Sequence, residues 1–247
     1  MSSLALTGAI VIALLAATCQ SLTAFGFALV MVPLLSLAWE VKPAVVTSTL
    51  LGTVILLPLT LEVREHVRPA RAARLLAGSL LGIPAGVVLL DRIDPEALKV
   101  LVGAVVIVAS LLLYSARQGT WPEAGGSTPV AVGMIAGVLR ASTSMGGPPA
   151  VLYLLGAEKG MQSFRATLLA FSLPASVVTI AGLTLAGQVT GEIVRASAIA
   201  LPAVAVGLIL GRWMRAWIDE EVFRTVVLAV LILTSVAVIV SASGRLM

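Results

Sequence analysis

The chain has 247 residues, of which 59% are hydrophobic and only 11% are charged. A soluble domain carries about 25% charged residues, so this sequence has too little polar material to cover a water-facing surface, and the soluble class is excluded. Each membrane span needs about 20 helical residues, which leaves room for roughly eight to ten transmembrane or half-spanning segments. We therefore predict an all-α polytopic membrane protein without a soluble catalytic domain.

The net charge of +4 does not indicate a nucleic-acid partner. The basic residues lie between apolar stretches, where lipid head groups and membrane orientation account for them. The single cysteine, Cys19, excludes a disulfide framework or a cysteine metal cluster within one chain. The apolar stretch around Cys19 continues well past it, so we interpret this stretch as a first membrane segment and not as a removable signal.

The first uncharged stretch, residues 1–39, is too long for one helix. Small and polar residues interrupt it between Gln20 and Gly26, including Ser21 and Thr23. Unpaired backbone polar groups are costly in hydrocarbon, so such an interruption is tolerated only within protein or against a watery cavity. We predict two segments here, arranged as a hairpin or as a broken helix.

Three further uncharged stretches complete the first half, at residues 43–61, 75–90 and 100–116. The first of them contains Thr47 and Ser48, which we expect to flank the interrupted segment. Positive charge crowds the connection after it, where the sequence contains Arg64, Arg68, Arg71 and Arg74. A glycine-rich cluster near the midpoint is typical of a linker, which divides the chain into a first repeat (1–118), a linker (119–129) and a second repeat (130–247).

The second half begins with another interrupted apolar region. Two short uncharged stretches, 124–139 and 141–157, are divided only by Arg140. Next come hydroxyl residues and a Gly-Gly-Pro-Pro run, which we expect to break the helix because proline lacks an N–H and glycine favours irregular geometry. Longer uncharged stretches follow at 166–191, 196–211 and 225–244.

The two halves are related in sequence. A shift of 120 residues places Gly26 on Gly146 and Thr47 on Thr167, and a shift of 125 places Gly82 and Gly86 on Gly207 and Gly211. In the first half, arginines are concentrated in the connection that follows stretch 43–61. In the second half, they are concentrated one connection later than the equivalent position. If positive connections face the cytoplasm, the halves have opposite orientations, and we predict an inverted repeat with both termini outside.

Paired helix interruptions at equivalent positions are the best sequence indication of a transporter's substrate site. Helix N-termini, hydroxyl groups and an arginine suit an anion. The alternative reading is that serine and threonine pack between helices and that Arg140 extends to the membrane interface. Our candidate binding residues are Gln20, Ser21, Thr23, Gly26, Thr47, Ser48, Arg140, Ser142, Thr143, Ser144, Gly146, Gly147 and Pro148.

The second half contains a characteristic series of residues, in the order Gly137, Ser142, Thr143, Met145, Gly146, Gly147, Pro148, Pro149, Tyr153, Leu154 and Leu155. This series resembles the second-half signature of the TauE/SafE sulfite exporter family. The resemblance extends over essentially the whole chain in length, segment count and duplication. One departure is Arg140-Ala141, where the family often has Ser-Gly, and another is Phe25-Gly26-Phe27 in place of a glycine triplet. An added arginine favours a more strongly charged or larger anion.

The resemblance implies a transporter in the bacterial inner membrane that exports a small sulfur-containing anion, such as sulfite or sulfoacetate, bound at the interrupted helices near the midplane. An anion channel, or a carrier for a non-sulfur organic anion, is the alternative. We expect no enzymatic activity, because the one histidine lies in a loop and no acid lies deep in an apolar stretch. We expect no cofactor or metal; the oligomeric state, monomer or homodimer, stays open.

Overall fold

A computed structural model describes residues 3–23, 25–115, 127–158 and 160–214. This part of the chain forms nine α-helices, and one 3₁₀ turn, Arg64–His66, joins the third to the fourth; no strand occurs in it. The all-helical prediction is confirmed. The predicted stretch 225–244 and most of the predicted linker lie outside the described residues. The helices are α1 (Ser3–Thr23), α2 (Phe27–Ser36), α3 (Val41–Val63), α4 (Pro69–Arg92), α5 (Pro95–Ser115), α6 (Thr128–Thr143), α7 (Gly147–Ala157), α8 (Met161–Leu185) and α9 (Gly191–Met214).

Five of the described helices, α3, α4, α5, α8 and α9, are long and apolar enough to cross a membrane. Their outer faces carry large exposed hydrophobic side chains, such as Leu81, Leu185 and Ile209. Contiguous apolar surface of this kind is unfavourable in water and is typical of a lipid-facing protein. The protein is therefore a multi-pass membrane protein.

Both long apolar regions are interrupted, as predicted. Gly26 adopts a left-handed conformation with φ of 114° between α1 and α2, and Ser144 does so with φ of 65° between α6 and α7. The second interruption was predicted over Arg140 to Pro149, and the break lies within that range, at Ser144 to Gly146, while Arg140 itself still lies inside α6. The Gly-Gly-Pro-Pro run is also not irregular throughout. Pro148 and Pro149 occupy the first turn of α7, where a proline removes no helical hydrogen bond.

Close packing of glycines joins α4 to α6. A Cβ atom added at Gly78, Gly82 or Gly86 would collide with the α6 backbone, at the carbonyls of Val130, Met134 and Val138 respectively. Gly133 and Gly137 of α6 face the α4 backbone in the same way. Small residues allow two helix backbones to approach closely within a membrane. These contacts fix α6 of the second half on α4 of the first half, and the two helices run in the same direction.

Helices α1 and α9 form a similar close contact between the two halves. Gly207 lies against Leu14, and Gly211 lies against Thr18 and Ser21, so these helices also run in the same direction. Hydroxyl groups strengthen this contact, since Thr18 Oγ1 donates to the Gly207 carbonyl at 3.2 Å and Ser21 Oγ donates to the Leu208 carbonyl at 3.2 Å. Helix α6 of the second half therefore packs on α4 of the first half, and α1 of the first half packs on α9 of the second half.

These directions identify the interrupted segments as hairpins. We call the end where α3 meets α4, which contains Arg64 and Arg68, the arginine-rich end. Helix α6 begins there beside the start of α4, and α7 returns there, because Glu158 after α7 contacts Arg71 in α4. Helices α1 and α2 form the corresponding hairpin at the opposite end, where Trp39 and the start of α9 line one cavity.

Candidate functional site

A small cavity lies between the turns of the two hairpins and the middle of α3 and α8. Its volume is about 70 Å³. A single water needs about 10–15 Å³ measured in this way, so the cavity has room for a few waters or for one small polyatomic anion. Both halves of the chain contribute to its lining.

Arg140 is the charged group of this cavity. Its side chain extends from the last turns of α6, and the residue is 6% exposed. Its Nη1 donates to Ser176 Oγ at 2.8 Å and its Nη2 donates to Ser172 Oγ at 3.1 Å. The guanidinium carbon lies 5.3 Å from the ring centroid of Phe171, within the range of a cation–π interaction. Helix α8 thus holds the guanidinium in place with two hydroxyls and one aromatic face.

No carboxylate among the described residues forms an ion pair with Arg140. The Nε atom of Arg140 is buried and has no acceptor there. Buried charges in proteins are normally paired or bound to an ion, because transfer of an isolated charge from water costs several kcal/mol. The cavity therefore presents a positive charge whose counter-ion the described protein groups do not supply.

The turn of the second hairpin is shaped around this arginine. A side chain at Gly146 would lie 2.7 Å from Cβ and 2.9 Å from Nε of Arg140, so only glycine leaves room for the guanidinium. Ser144, in its left-handed conformation, ends α6 and donates through Oγ to Ser48 Oγ at 3.2 Å. The turn therefore brings Arg140, Ser144 and the start of α7 to one surface of the cavity.

The N-termini of the two short helices differ. At the start of α2, the Phe27 N–H donates to Gln20 Oε1 at 2.9 Å. At the start of α7, the Gly147 N–H has no protein acceptor in the described part of the chain, and the next two residues are prolines. An unpaired N–H at a helix N-terminus favours an anion. This donor and the guanidinium both belong to the second hairpin.

The structure brings together five of the predicted site residues. The cavity is lined by Gln20, Ser48, Arg140, Ser144 and Gly147. Gly26 and Gly146 shape the turns beside it. Thr23 lies in the last position of α1, and its side chain is outside the described residues.

Five other candidates do not line the cavity. Ser142 and Thr143 donate to carbonyls of their own helix, those of Val138 and Leu139. Ser21 donates to α9, and Thr47 is buried away from the cavity. Pro148 lines a separate, wholly apolar groove between α5, α6 and α7. The alternative reading of hydroxyls as packing groups therefore describes Ser142, Thr143 and Ser21.

Several lining residues were missed by sequence reasoning. They are Phe25, Phe27, Ala28, Gly52, Leu56, Leu168, Ser172 and Ser176. The two serines were detectable, because they are hydroxyl residues spaced by four within the long apolar stretch 166–191 and therefore share one face of a helix. Repeat position was a second signal. Lining residues pair at a spacing of 120, as Gln20 with Arg140, Phe27 with Gly147, Ser48 with Leu168, Gly52 with Ser172, and Leu56 with Ser176.

Comparison with known proteins identifies the family. A scan against protein-family models matches residues 9–238 to the family described as sulfite exporter TauE/SafE. A search of curated proteins and a search of solved structures each returned no match. The family match spans nearly the whole chain, including both hairpins and the cavity between them. The chain therefore belongs to the TauE/SafE sulfite exporter family, a family of membrane transporters and not of enzymes.

Proposed function

We propose that this protein exports a small sulfur-containing anion, such as sulfite or sulfoacetate, across the bacterial inner membrane, and that the anion binds in the cavity at Arg140. One observation carries the proposal: a buried guanidinium lines the cavity, and no described carboxylate pairs with it. A bound anion supplies the missing counter-charge. Arginine suits this role because its planar donors match the oxygens of an oxyanion.

The chemistry of the two sides of the cavity supports an anionic head group with a short apolar part. The second half contributes Arg140, Ser172 and Ser176, all of which offer polar hydrogens, together with Ser144 and Leu168. The first half contributes the aromatic rings of Phe25 and Phe27, together with the polar side chains of Gln20, Ser48 and Thr49. The sulfonate of sulfoacetate can bind the second half, and the carboxylate on the other side of its methylene group can reach the polar side chains of the first half.

Helix geometry supports a position near the midplane. On α3, Lys42 lines a cavity at the opposite end, Glu62 lines a cavity at the arginine-rich end, and Gly52 lines the central cavity ten residues from each. Twenty helical residues rise about 30 Å, which is the thickness of the hydrocarbon core. The proposed site is therefore about equally far from both membrane faces.

The inverted repeat accounts for the arrangement of the helices. Each half, as we propose it, consists of one hairpin that begins and ends at the same face, followed by three crossing helices. Three crossings are an odd number, so the second half starts from the other face. The reciprocal pairs, α4 with α6 and α1 with α9, are the contacts that a two-fold relation between the halves generates.

We propose that transport is driven by the anion gradient and the membrane voltage without a coupled proton. In the described part of the chain, the cavity is lined by no carboxylate and no histidine, whereas proton-coupled carriers usually keep an ionisable relay in the membrane. A negative-inside voltage assists anion export by about 2.3 kcal/mol per charge per 100 mV. Flux that requires a pH gradient while the voltage is clamped would contradict this.

The proposal is tested with purified protein in liposomes. Uptake or efflux is measured for sulfite, sulfoacetate, thiosulfate, sulfate, taurine and acetate. Saturable flux of sulfite or sulfoacetate that falls in Arg140→Gln is the expected result. Saturable flux of acetate alone would favour the alternative of a non-sulfur organic anion, and flux that does not saturate would favour a channel.

A further inference from the structure

A buried ion pair ties the two halves together at the arginine-rich end. Arg71 Nη1 in the first turns of α4 lies 2.8 Å from Oε1 of Glu158, the residue that follows α7. The Glu158 side chain is only 3% exposed, and that of Arg71 is 37% exposed. The carboxylate is thus nearly withdrawn from solvent and depends on this arginine for its counter-charge.

The ion pair restrains α7 at the end that lies away from the cavity. Helix α7 begins at Gly147, which lines the central cavity, and ends at Ala157, beside Glu158. Its 11 residues rise about 16 Å. Because glycine contacts fix α4 to α6, Arg71 anchors the far end of α7 to the same α4–α6 unit. Helix α7 cannot swing away from α6 about its turn at Ser144 unless this ion pair breaks.

The repeat relation shows that the opposite end lacks this ion pair. The shift of 120 that relates α2 to α7 places Ala38 at the position of Glu158, and the shift of 125 that relates α4 to α9 places Ala196 at the position of Arg71. Ala38 and Ala196 both line a cavity of about 640 Å³ at the opposite end. The ion pair therefore occurs at one end, and an open cavity occupies the equivalent place at the other.

Other polar contacts at the two ends are weaker candidates for closing the protein. At the arginine-rich end, Arg212 pairs with Glu62 at 2.7 Å beside a smaller cavity of about 350 Å³. Both of these side chains are more than a third exposed, and exposed ion pairs contribute little free energy. At the opposite end, Gln188 donates to Asp91 at 2.8 Å, a contact that also lies at the surface.

We propose that Arg71 and Glu158 form a one-sided gate, which holds the arginine-rich end closed in this conformation while the opposite end is open. Release of the pair lets α7 move and gives the cavity access to the arginine-rich end. Loss of either partner leaves the other without its counter-charge. An unpaired buried carboxylate is strongly unfavourable, so loss of Arg71 favours the conformation in which Glu158 meets water.

The test measures access to the central cavity and needs no substrate. A reporter, Leu168→Cys, is placed in the cavity lining of the full chain after the native thiol is removed by Cys19→Ser. Oriented membrane vesicles are then treated with a membrane-impermeant thiol reagent from either face. We expect the parent to react faster from the opposite end. Arg71→Gln and Glu158→Gln should each raise the rate from the arginine-rich end at least fivefold, and the exchange Arg71→Glu with Glu158→Arg should return it towards the parent value.

A second set of variants introduces an equivalent ion pair at the opposite end. The pair Ala38→Glu with Ala196→Arg should lower the labelling rate from the opposite end at least fivefold, and the uncharged pair Ala38→Gln with Ala196→Gln is the matched control. Equal rates from the two faces in the parent, or parent-like rates in both gate variants and in the charged pair, would overturn the proposal. Because labelling is independent of the transported anion, failure of the gate and failure of the proposed substrate are distinguishable.

Discussion

The two hairpin turns lie 120 residues apart in the sequence and differ in chemistry. In the first turn, the amide of Gln20 accepts the Phe27 N–H and so satisfies the start of α2 from within the protein. In the second turn, the residue at the position of Gln20 is Arg140, and the N–H at the position of Phe27 belongs to Gly147. The first turn is uncharged and the first N–H of α2 is paired with Gln20, whereas the second turn presents a charge and the N–H of Gly147 to the cavity.

The two turns thus allow the geometry of the site to be considered separately from its charge. Both hairpins bring a helix N-terminus to the same cavity. In the second half Ser172 and Ser176 hold Arg140, where the first half has Gly52 and Leu56, and we propose that this difference supplies the charge recognition. Substitutions in the second turn should therefore weaken anion binding more than substitutions in the first turn.

The largest expected effect concerns the packing that supports each hairpin. Gly82→Ala places a methyl group against the Met134 carbonyl of α6, and backbone cannot yield to it. We expect a loss of about 3 kcal/mol or more in stability, at the upper end for overpacked sites. The equivalent Gly207→Ala has slightly more room, since its methyl group would lie 2.5 Å from the Leu14 carbonyl of α1, and should cost less. Thermal unfolding in detergent measures both, and Gly8→Ala, which has open space around it, is the control.

The second largest effect is expected when the charge of the second turn is removed. Arg140→Gln makes the second turn resemble the first and removes hydrogen bonds from a charged donor, which contribute about 1.5–3 kcal/mol. We expect the half-saturation concentration of the transported anion to rise roughly 10- to 100-fold. Stability should be unchanged or higher, because an unpaired buried charge is lost. Unchanged anion affinity in a folded variant would place Arg140 outside the substrate site.

The serines of α8 should have an intermediate effect. Ser172→Ala and Ser176→Ala each remove one acceptor that positions the guanidinium and one hydroxyl of the cavity. A typical hydrogen bond contributes about 1 kcal/mol, so each variant should raise half-saturation about fivefold. Flux assays of both serine variants give the comparison, with Thr179→Ala as a control, because Thr179 donates only within its own helix. An equal loss in the control would indicate a general effect on α8.

The smallest effect is expected in the first turn. Gln20→Ala removes the acceptor of the Phe27 N–H, much as loss of a helix cap does, and should lower stability by about 1 kcal/mol. Anion affinity should change less than threefold, because no charge is lost. If Gln20→Ala weakened transport as much as Arg140→Gln, both turns would contribute to recognition of the anion. That result would contradict the proposed difference between the turns.

Sequence reasoning predicted the helical membrane fold and both interruptions, because apolar length and helix-breaking residues are local properties. It did not predict that α6 continues through Arg140 to Thr143 before the break. A charge in an apolar stretch usually marks a boundary, and nothing local indicates that Ser172, Ser176 and Phe171 stabilise this one within a helix.

The cavity lining was predictable only in part for a similar reason. Arg140, Ser144 and Gly147 lie at a break that the sequence displays. Ser142 and Thr143 belong to the same motif, but helix periodicity directs their hydroxyls to the backbone of α6. The contribution of α3 and α8 depends on how the helices pack, which residue spacing alone does not determine.

The central claim is that the anion binds at the second turn, and a structure with a marked ligand tests it most directly. Crystals grown with 2-bromoethanesulfonate would locate the bromine by its anomalous scattering. The account predicts sulfonate oxygens about 3 Å from the Arg140 nitrogens, with the bromine towards Phe25 and Phe27. A sulfonate bound away from Arg140, for example in the cavity beside Trp39, would contradict it.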